Sequence, residues 1–324
     1  MFIFKEVFKE TIWGGDRIAA MKEKFHLCHD IGESWELSGI EGHETLVVEG
    51  RDKGKSLKEL SEEYGRLFLG NHVYDRYGTD FPLLIKFIDA HEDLSIQVHP
   101  DDVVAKRRHG CNGKAEMWYV VDATPEARLL VGFDHDMTSN EYDEAVCNGV
   151  IAGNVRSHSV KKGDVFFLPP GRVHAACKGV LLAEIQQSSD ITYRIYDYGR
   201  RDKDGKTREL HTKEAREVLD FTSHNDYRTH YKYKVNEPTG LVSCEYFTTD
   251  FLIVDRSVHL DISAYDSFCI LICVDGEVAI CQSEGVNPGK ETLKKGHTVL
   301  LPADAGKVTI TPSTSAKLLL VRVP

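Results

Sequence analysis

Short runs of alternating apolar and polar residues, separated by turns rich in glycine and proline, dominate this chain. The run Leu94-Ser-Ile-Gln-Val-His-Pro-Asp-Asp102 anchors the pattern. Leu94, Ile96 and Val98 alternate with Ser95, Gln97 and His99, so a strand here puts Gln97 and His99 on one face. Taken alone, that pattern fits an edge strand with a polar outer face as well as half of a metal site. Residues 34–38 alternate likewise, with Glu33 and Trp35 on one side and Ser34 and Glu36 on the other. Residues 81–89 read as a buried strand, residues 160–174 as a strand closed by a Pro-Gly turn, and Val180–Gln187 as the next strand. Residues 114–121 form another strand, on which Lys114, Glu116 and Trp118 share a face. Charges on such a strand need a partner or a bound ion. Helical spacing appears over residues 57–69, with Ser56 as a cap, around Ser139–Cys147, and over residues 212–220. Residues 100–113, with Lys106, Arg107, Arg108 and His109, read as a charged loop.

The second part of the chain repeats the first. Lys294-Lys-Gly-His-Thr-Val-Leu-Leu-Pro302 echoes Lys161-Lys-Gly-Asp-Val-Phe-Phe-Leu-Pro169, and Ile272-Cys-Val-Asp-Gly276 echoes Tyr119-Val-Val-Asp-Ala123. The later copy has Val308 near the position of His174. It is expected to keep the fold without the site. Pro238-Thr-Gly240 reads as a linker, which predicts a module over residues 1–237 with helical insertions and a second over 238–324.

Composition narrows the function. A net charge of −11 excludes a broad nucleic-acid surface, so any anionic ligand must meet local positive charge. The longest apolar runs, such as Phe268-Cys-Ile-Leu-Ile-Cys-Val274, have strand length, and no membrane span is predicted. Charge appears by Lys5, so no secretory leader is expected. Eight cysteines with no Cys-x-x-Cys pair predict reduced thiols in the cytoplasm, Cys269 and Cys273 being small buried residues on one strand face.

Gly163-x5-Pro169-x-Gly171-x2-His174 resembles the second motif of the cupin superfamily at every spacing, and Gln97-x-His99 its first motif in altered form. Four segments in order, Gln97-Val-His-Pro-Asp-Asp102, Lys114-Ala-Glu-Met-Trp118, Pro170-Gly-Arg-Val-His174 and Asp190-Ile-Thr-Tyr-Arg-Ile-Tyr-Asp197, resemble the type I mannose-6-phosphate isomerases, in their short bacterial form. The resemblance covers essentially the whole chain. It implies a mainly β protein of two cupin-type jelly-roll β-barrel modules, the first with added helices. It implies Gln97, His99, Glu116 and His174 as zinc ligands; the donor set itself also suits Fe2+ or another divalent metal. The implied reaction interconverts mannose 6-phosphate and fructose 6-phosphate through an enediol. Arg194 matches the family's active-site arginine, and Lys114, on the face of Glu116, is a candidate for substrate binding or proton transfer. Without the resemblance, Arg194 reads as a strand-end ion pair with Asp190 or Asp197. Arg200, Arg201, Lys203 and Arg208 are candidate phosphate contacts, with Arg172 and residues 106–108 behind them. Trp13 and Glu36 are expected to line the cavity. Among the remaining histidines, His26, His29, His43, His72, His91, His158, His224, His230, His259 and His297 lack a partner at useful spacing, and His109 and His135 read as bystanders. Two other functions use the same residues: an Fe2+ cupin oxygenase, which leaves Lys114 and Arg194 unexplained, and a non-catalytic sugar-phosphate sensor. No oligomeric state follows from the sequence.

Overall fold

The computed structural model describes residues 1–24, 30–202 and 204–324, so His26, His29 and Lys203 lie outside the described residues. Two pairs of antiparallel sheets, with a two-stranded ribbon of Phe4–Lys5 and Leu46–Val47 beside them, make up the β structure among the described residues. In the first pair, a six-stranded sheet runs in the order Val165–Leu168, Glu116–Ala123, Val180–Gln187, Leu83–Ala90, Ile31–Leu37, Val7–Gly15. It faces a five-stranded sheet ordered Tyr193–Tyr196, Ile96–Val98, His174–Ala176, Arg128–Phe133, Val155–Ser159. In the second pair, a five-stranded sheet (Thr239–Ser243, Thr248–Val254, Ala316–Arg322, Cys269–Asp275, Thr298–Leu301) faces a four-stranded one (Val258–Asp261, Lys307–Pro312, Glu277–Gln282, Gly289–Lys294). Each pair is a jelly-roll sandwich, and among the described residues its two ladders stay separate instead of closing into one barrel.

Strand alternation explains how the pairs stack. Leu83, Ile85 and Phe87 point into one core, while Ile88 and Ala90 point into the interior of the first sandwich with Trp118, Leu129 and Val131. Ile270, Ile272 and Val274 share the core of Leu83, whereas Cys269, Leu271 and Cys273 fill the second sandwich. The two larger sheets therefore pack back to back through a common apolar core. Phe2 joins it, pairing with Leu300 of the second sandwich. The seven described cysteines are free, and Cys269 and Cys273 are fully buried as expected.

The sequence echoes occupy matching places. Val165–Leu168 and Thr298–Leu301 are edge strands beside Glu116–Ala123 and Cys269–Asp275, the strands that carry the other echo. The strand matching His174–Ala176 is Lys307–Pro312, and its Val308 lies in an apolar core.

Three local expectations change. Residues 100–113 hold a helix, Asp102–His109, whose N-cap Asp101 accepts from Val104 N at 2.8 Å. Only Ala105 of this helix is buried, so it has no apolar stripe to read. Its capping residue, its basic last turn and a left-handed Gly110 are what form it. The helix over 57–69 is capped by Ser56 but breaks at Gly65 into Leu57–Tyr64 and Arg66–Leu69. The segment read as a linker enters the sheet, with Thr239 opposite Phe251 and Gly240 opposite Asp250.

The helical insertion is tied to the second sandwich at Gly70. Its φ is +94°, and a Cβ there would lie 1.9 Å from Asp266 O. Phe268 N donates to Leu69 O (3.1 Å) and Asn71 N to Asp266 Oδ1 (2.8 Å) on either side. Gly70→Ala is expected to destabilise the fold by at least ~1–3 kcal/mol. Thermal melting checks this, and an unchanged Tm would reject it.

Candidate metal and active site

The residues at 97–99, 116 and 174 converge at one end of the first sandwich. Glu116 opens its strand, opposite Gln186 and Leu168. The Pro-Gly turn carries the chain from the larger sheet to the smaller, so that His174 begins a strand in the facing layer. Gly171, with φ +87°, donates its N–H to His99 O at 2.9 Å and ties the turn to the residue that follows Val98. A Cβ at Gly171 would come 2.8 Å from Val218 O, which accounts for glycine in the motif.

His99, Glu116 and His174 each offer a donor atom, all within 4.8 Å of one another. His99 Nε2 lies 3.5 Å from Glu116 Oε2, and His174 Nε2 3.1 Å from Glu116 Oε1. All three residues are buried. The outward ring nitrogens are taken: His99 Nδ1 donates to Ile191 O (2.9 Å) and His174 Nδ1 to Arg172 O (2.8 Å). These bonds leave both Nε2 atoms as lone pairs facing Glu116. His99 Nε2 and both Glu116 oxygens meet no hydrogen-bond partner among the described residues. Burial, then the charge of Lys114, hold His99 well below its usual range. Burial alone would raise Glu116, but Lys114 and the two imidazoles outweigh it and keep the carboxyl well below the ordinary range. Inward-facing imidazole nitrogens beside a buried carboxylate without hydrogen bonds fit a divalent cation. Gln97 pairs in register with both His174 and Arg194 on flanking strands. Its Nε2 lies 3.4 Å from His174 Nε2, and a half-turn of the amide presents Oε1 instead.

A chain of alternating charges leads away from this cluster. Lys114 Nζ is 3.0 Å from Glu116 Oε2 and 3.9 Å from Glu184 Oε1. Lys86 Nζ lies 3.8 Å from Glu184 Oε2 and 3.5 Å from Glu33 Oε2. Trp35 donates its indole N–H to Glu33 at 2.6 Å, and the ammonium groups of Lys86 and Lys9 lie over its ring. Burial, then the Glu116 charge, push Glu184 up to about 8, so the charge of this carboxylate pair resides on Glu116. Burial opposes the charge on Lys86, but Glu33 and Glu184 outweigh it and raise its pKa. Glu184, Lys86 and Glu33 were not among the residues singled out from sequence. For Lys86 the signal was available: it interrupts a strand read as buried, the same criterion that drew attention to Lys114.

The structure places both residues expected to line the cavity. Trp13 is buried in the sandwich interior with Ile88 and Trp118. Glu36 is corrected: it lies on the opposite face of its strand, bound to Ser34 and, at 2.9 Å, to Lys22. Lys22 in turn donates to Gly296 O of the second sandwich at 2.7 Å. Alternation along Ile31–Leu37 sends Trp35 inward and Glu36 outward.

Arg194 is half-buried. Its Nε donates to Ser95 Oγ (3.3 Å) and its Nη1 to Glu209 O (3.0 Å). Among the described residues no carboxylate lies within ion-pair distance of it. Asp197 is instead claimed by Arg208, through Nε at 2.8 Å, and by Arg200, which also binds Asp93 O. Arg201 is exposed and donates to Gly205 O within its own loop at 2.6 Å. Arg172 stacks on Tyr227, 4.6 Å from its ring centre, and Arg108 pairs with Glu217. His109 is bonded to Tyr193 OH (2.8 Å) and His135 pairs with Asp134, as bystanders would be. A cavity of about 670 Å3 lined by Arg17, Asp93, Arg128 and Lys178 lies at the far end of the same strands, away from the histidines. It shares no residue with the charge chain.

The chain is similar to known proteins along nearly its whole length. The family model for the catalytic domain of type I phosphomannose isomerase matches residues 1–134, and that for the cupin domain of mannose-6-phosphate isomerase matches residues 236–322. The mannose-6-phosphate isomerase ManA of Bacillus subtilis is 37% identical over 94% of this chain and 93% of its own length. A mannose-6-phosphate isomerase of Streptococcus mutans is 33% identical, covering 93% of this chain and 92% of its own. The crystal structure of a Bacillus subtilis mannose 6-phosphate isomerase superposes with a TM-score of 0.86 at 32% identity, over 99% of this chain and 98% of that one. With sequence kinship along nearly its full length and the same fold around a buried His-Glu-His cluster, the chain belongs to the type I mannose-6-phosphate isomerase family.

Proposed function

We propose that this protein interconverts mannose 6-phosphate and fructose 6-phosphate, using one Zn2+ held by Gln97, His99, Glu116 and His174. The observation that carries the reading is the buried cluster of His99, Glu116 and His174, in which His99 Nε2 and both Glu116 oxygens have no hydrogen-bond partner among the described residues, in a chain of this family. Bound there, a divalent cation supplies a Lewis acid for the oxygens of the reacting carbons. The reaction is redox-neutral overall, so a metal without redox chemistry suffices and zinc fits better than Fe2+.

The protein's own groups do the rest. A proton leaves C2 of the aldose and returns at C1, passing through an enediol. Lys114 and Glu184 are the groups beside the cluster able to carry that proton, and their contact keeps both on the inner face. Arg194 stays protonated and stabilises negative charge that develops on the sugar oxygens. Arg200 and Arg208 share the single carboxylate of Asp197, and Arg194 has no carboxylate of its own among the described residues, which leaves net positive charge for a phosphate dianion. Arg201, exposed in the loop that follows, adds positive charge. Among the described residues no helix is long and apolar enough to cross a membrane, and the free cysteines accord with a reducing cytoplasm.

A coupled assay of mannose 6-phosphate turnover, run with elemental analysis on the same sample, tests the reading. Turnover with about one metal ion per chain is expected. Oxygen uptake with bound iron and no isomerisation would establish the oxygenase instead, and tight binding without turnover the sensor.

A further inference from the structure

Gln186 and Gln187 are adjacent, buried and differently engaged. Gln187 is spent on structure: its Oε1 accepts from Ala115 N at 2.8 Å and its Nε2 donates to Asp102 Oδ1 at 3.0 Å. Gln186 uses only its amide nitrogen, which donates to Gln187 O (2.9 Å) and to Ser189 O. Its Oε1 is fully buried and meets no donor among the described residues. The orientation of the amide is determined, because turning it would set Oε1 against two carbonyl oxygens. Gln186 is the cross-strand partner of Glu116, so the two side chains rise about 5 Å apart on the same face. Glu184, two residues earlier, shares that face.

A buried acceptor fixed beside the reacting centre needs a donor. A phosphate at neutral pH brings acceptors only and is repelled by an amide oxygen. A sugar hydroxyl brings an O–H. We infer that Gln186 Oε1 accepts a hydrogen bond from a hydroxyl of the bound sugar phosphate, and that this residue helps determine which sugar the site accepts. The inference rests on the isomerase reading above. It also orients the substrate: the hydroxyl-bearing carbons face the Val180–Gln187 strand, and the phosphate faces the arginines near Asp197.

The test compares wild type with Gln186→Met, which keeps the volume and removes the acceptor. Inhibition constants are measured for mannose 6-phosphate analogues lacking one hydroxyl at C3 or C4. In wild type, one analogue is expected to bind about tenfold more weakly than its hydroxylated parent. In Gln186→Met that penalty disappears, and kcat/KM for mannose 6-phosphate falls about tenfold with metal content unchanged. Should Gln186→Met fail to fold, Gln186→Asn withdraws the acceptor by one methylene and keeps an amide, with the same loss of discrimination expected. Equal discrimination in wild type and variant would overturn the inference and leave a buried water as the partner of Oε1. An active wild-type enzyme with that result leaves the isomerase reading standing. A wild type without any turnover overturns the isomerase reading, and this inference with it.

Discussion

Chelation is expected to abolish mannose 6-phosphate turnover, and one equivalent of Zn2+ to restore it. The reason lies in the second contacts of the ligands. Ile191 O and Arg172 O hold both histidine rings with Nε2 turned inward, and Glu116 is fully buried, with Lys114 at 3.0 Å but no hydrogen bond to either oxygen among the described residues. Such a cluster is built at the cost of burying an ionised carboxylate, which a cation offsets. Loss of the Lewis acid removes several kcal/mol of transition-state stabilisation, on the order of 10³-fold or more in kcat. His174→Ala is expected to lose activity to the same extent and not to be rescued by added metal. The metal also binds only the folded chain, so the stripped protein should melt at a lower temperature than the loaded one. Full activity in a preparation shown by elemental analysis to be free of metal would reject the assignment.

Arg194→Ala is expected to lower kcat by roughly 10²–10³-fold while leaving the fold intact, as removal of one preorganised donor to a developing oxyanion does. The guanidinium is half-buried, yet its protein partners are a hydroxyl and a backbone carbonyl. Burial, then the nearby Arg208, lower its pKa, which marks a cation only partly compensated by the protein. An arginine whose purpose was structural would be expected to take Asp197, three residues on, but that carboxylate is held by Arg200 and Arg208. Arg194→Lys should recover part of the loss, since it restores charge without the fork geometry. Steady-state kinetics alongside circular dichroism decide the matter. Unchanged kcat in a folded Arg194→Ala protein would remove Arg194 from the mechanism.

Much of the site was legible because its residues lie in short, strongly patterned segments. Gln97 and His99 sit two apart on one alternating run, and the spacing from Gly163 to His174 encodes a strand, a left-handed glycine turn and a second strand. The charge pair Lys114 and Glu116 was visible because alternation set both on an inward face, and they lie 3.0 Å apart. The helix at Asp102–His109 escaped because it is stabilised by its ends and carries no apolar stripe. The segment at Thr239 read as a linker because a proline and a glycine outweighed the strand they introduce.

The family resemblance is what joined His99, Glu116 and His174 into one set. By itself, then, the sequence determined the strand modules, their repeat, the shared faces of Gln97 with His99 and of Lys114 with Glu116, and the absence of His174's counterpart at Val308. These follow from local periodicity, which acts over a few residues. Only the tertiary structure decided which charges meet. Glu33, Lys86, Glu184 and Lys114 come from four separate stretches of chain and become one network through strand order. The same holds for Glu36, which turns to Lys22 and the second sandwich, and for the arginines gathered on Asp197. It holds again for Gln186, whose neighbour Glu116 is distant in sequence and adjacent across the sheet. Coulomb and hydrogen-bond energies depend on distance in space, and sheet pairing sets those distances without leaving a trace in the spacing along the chain.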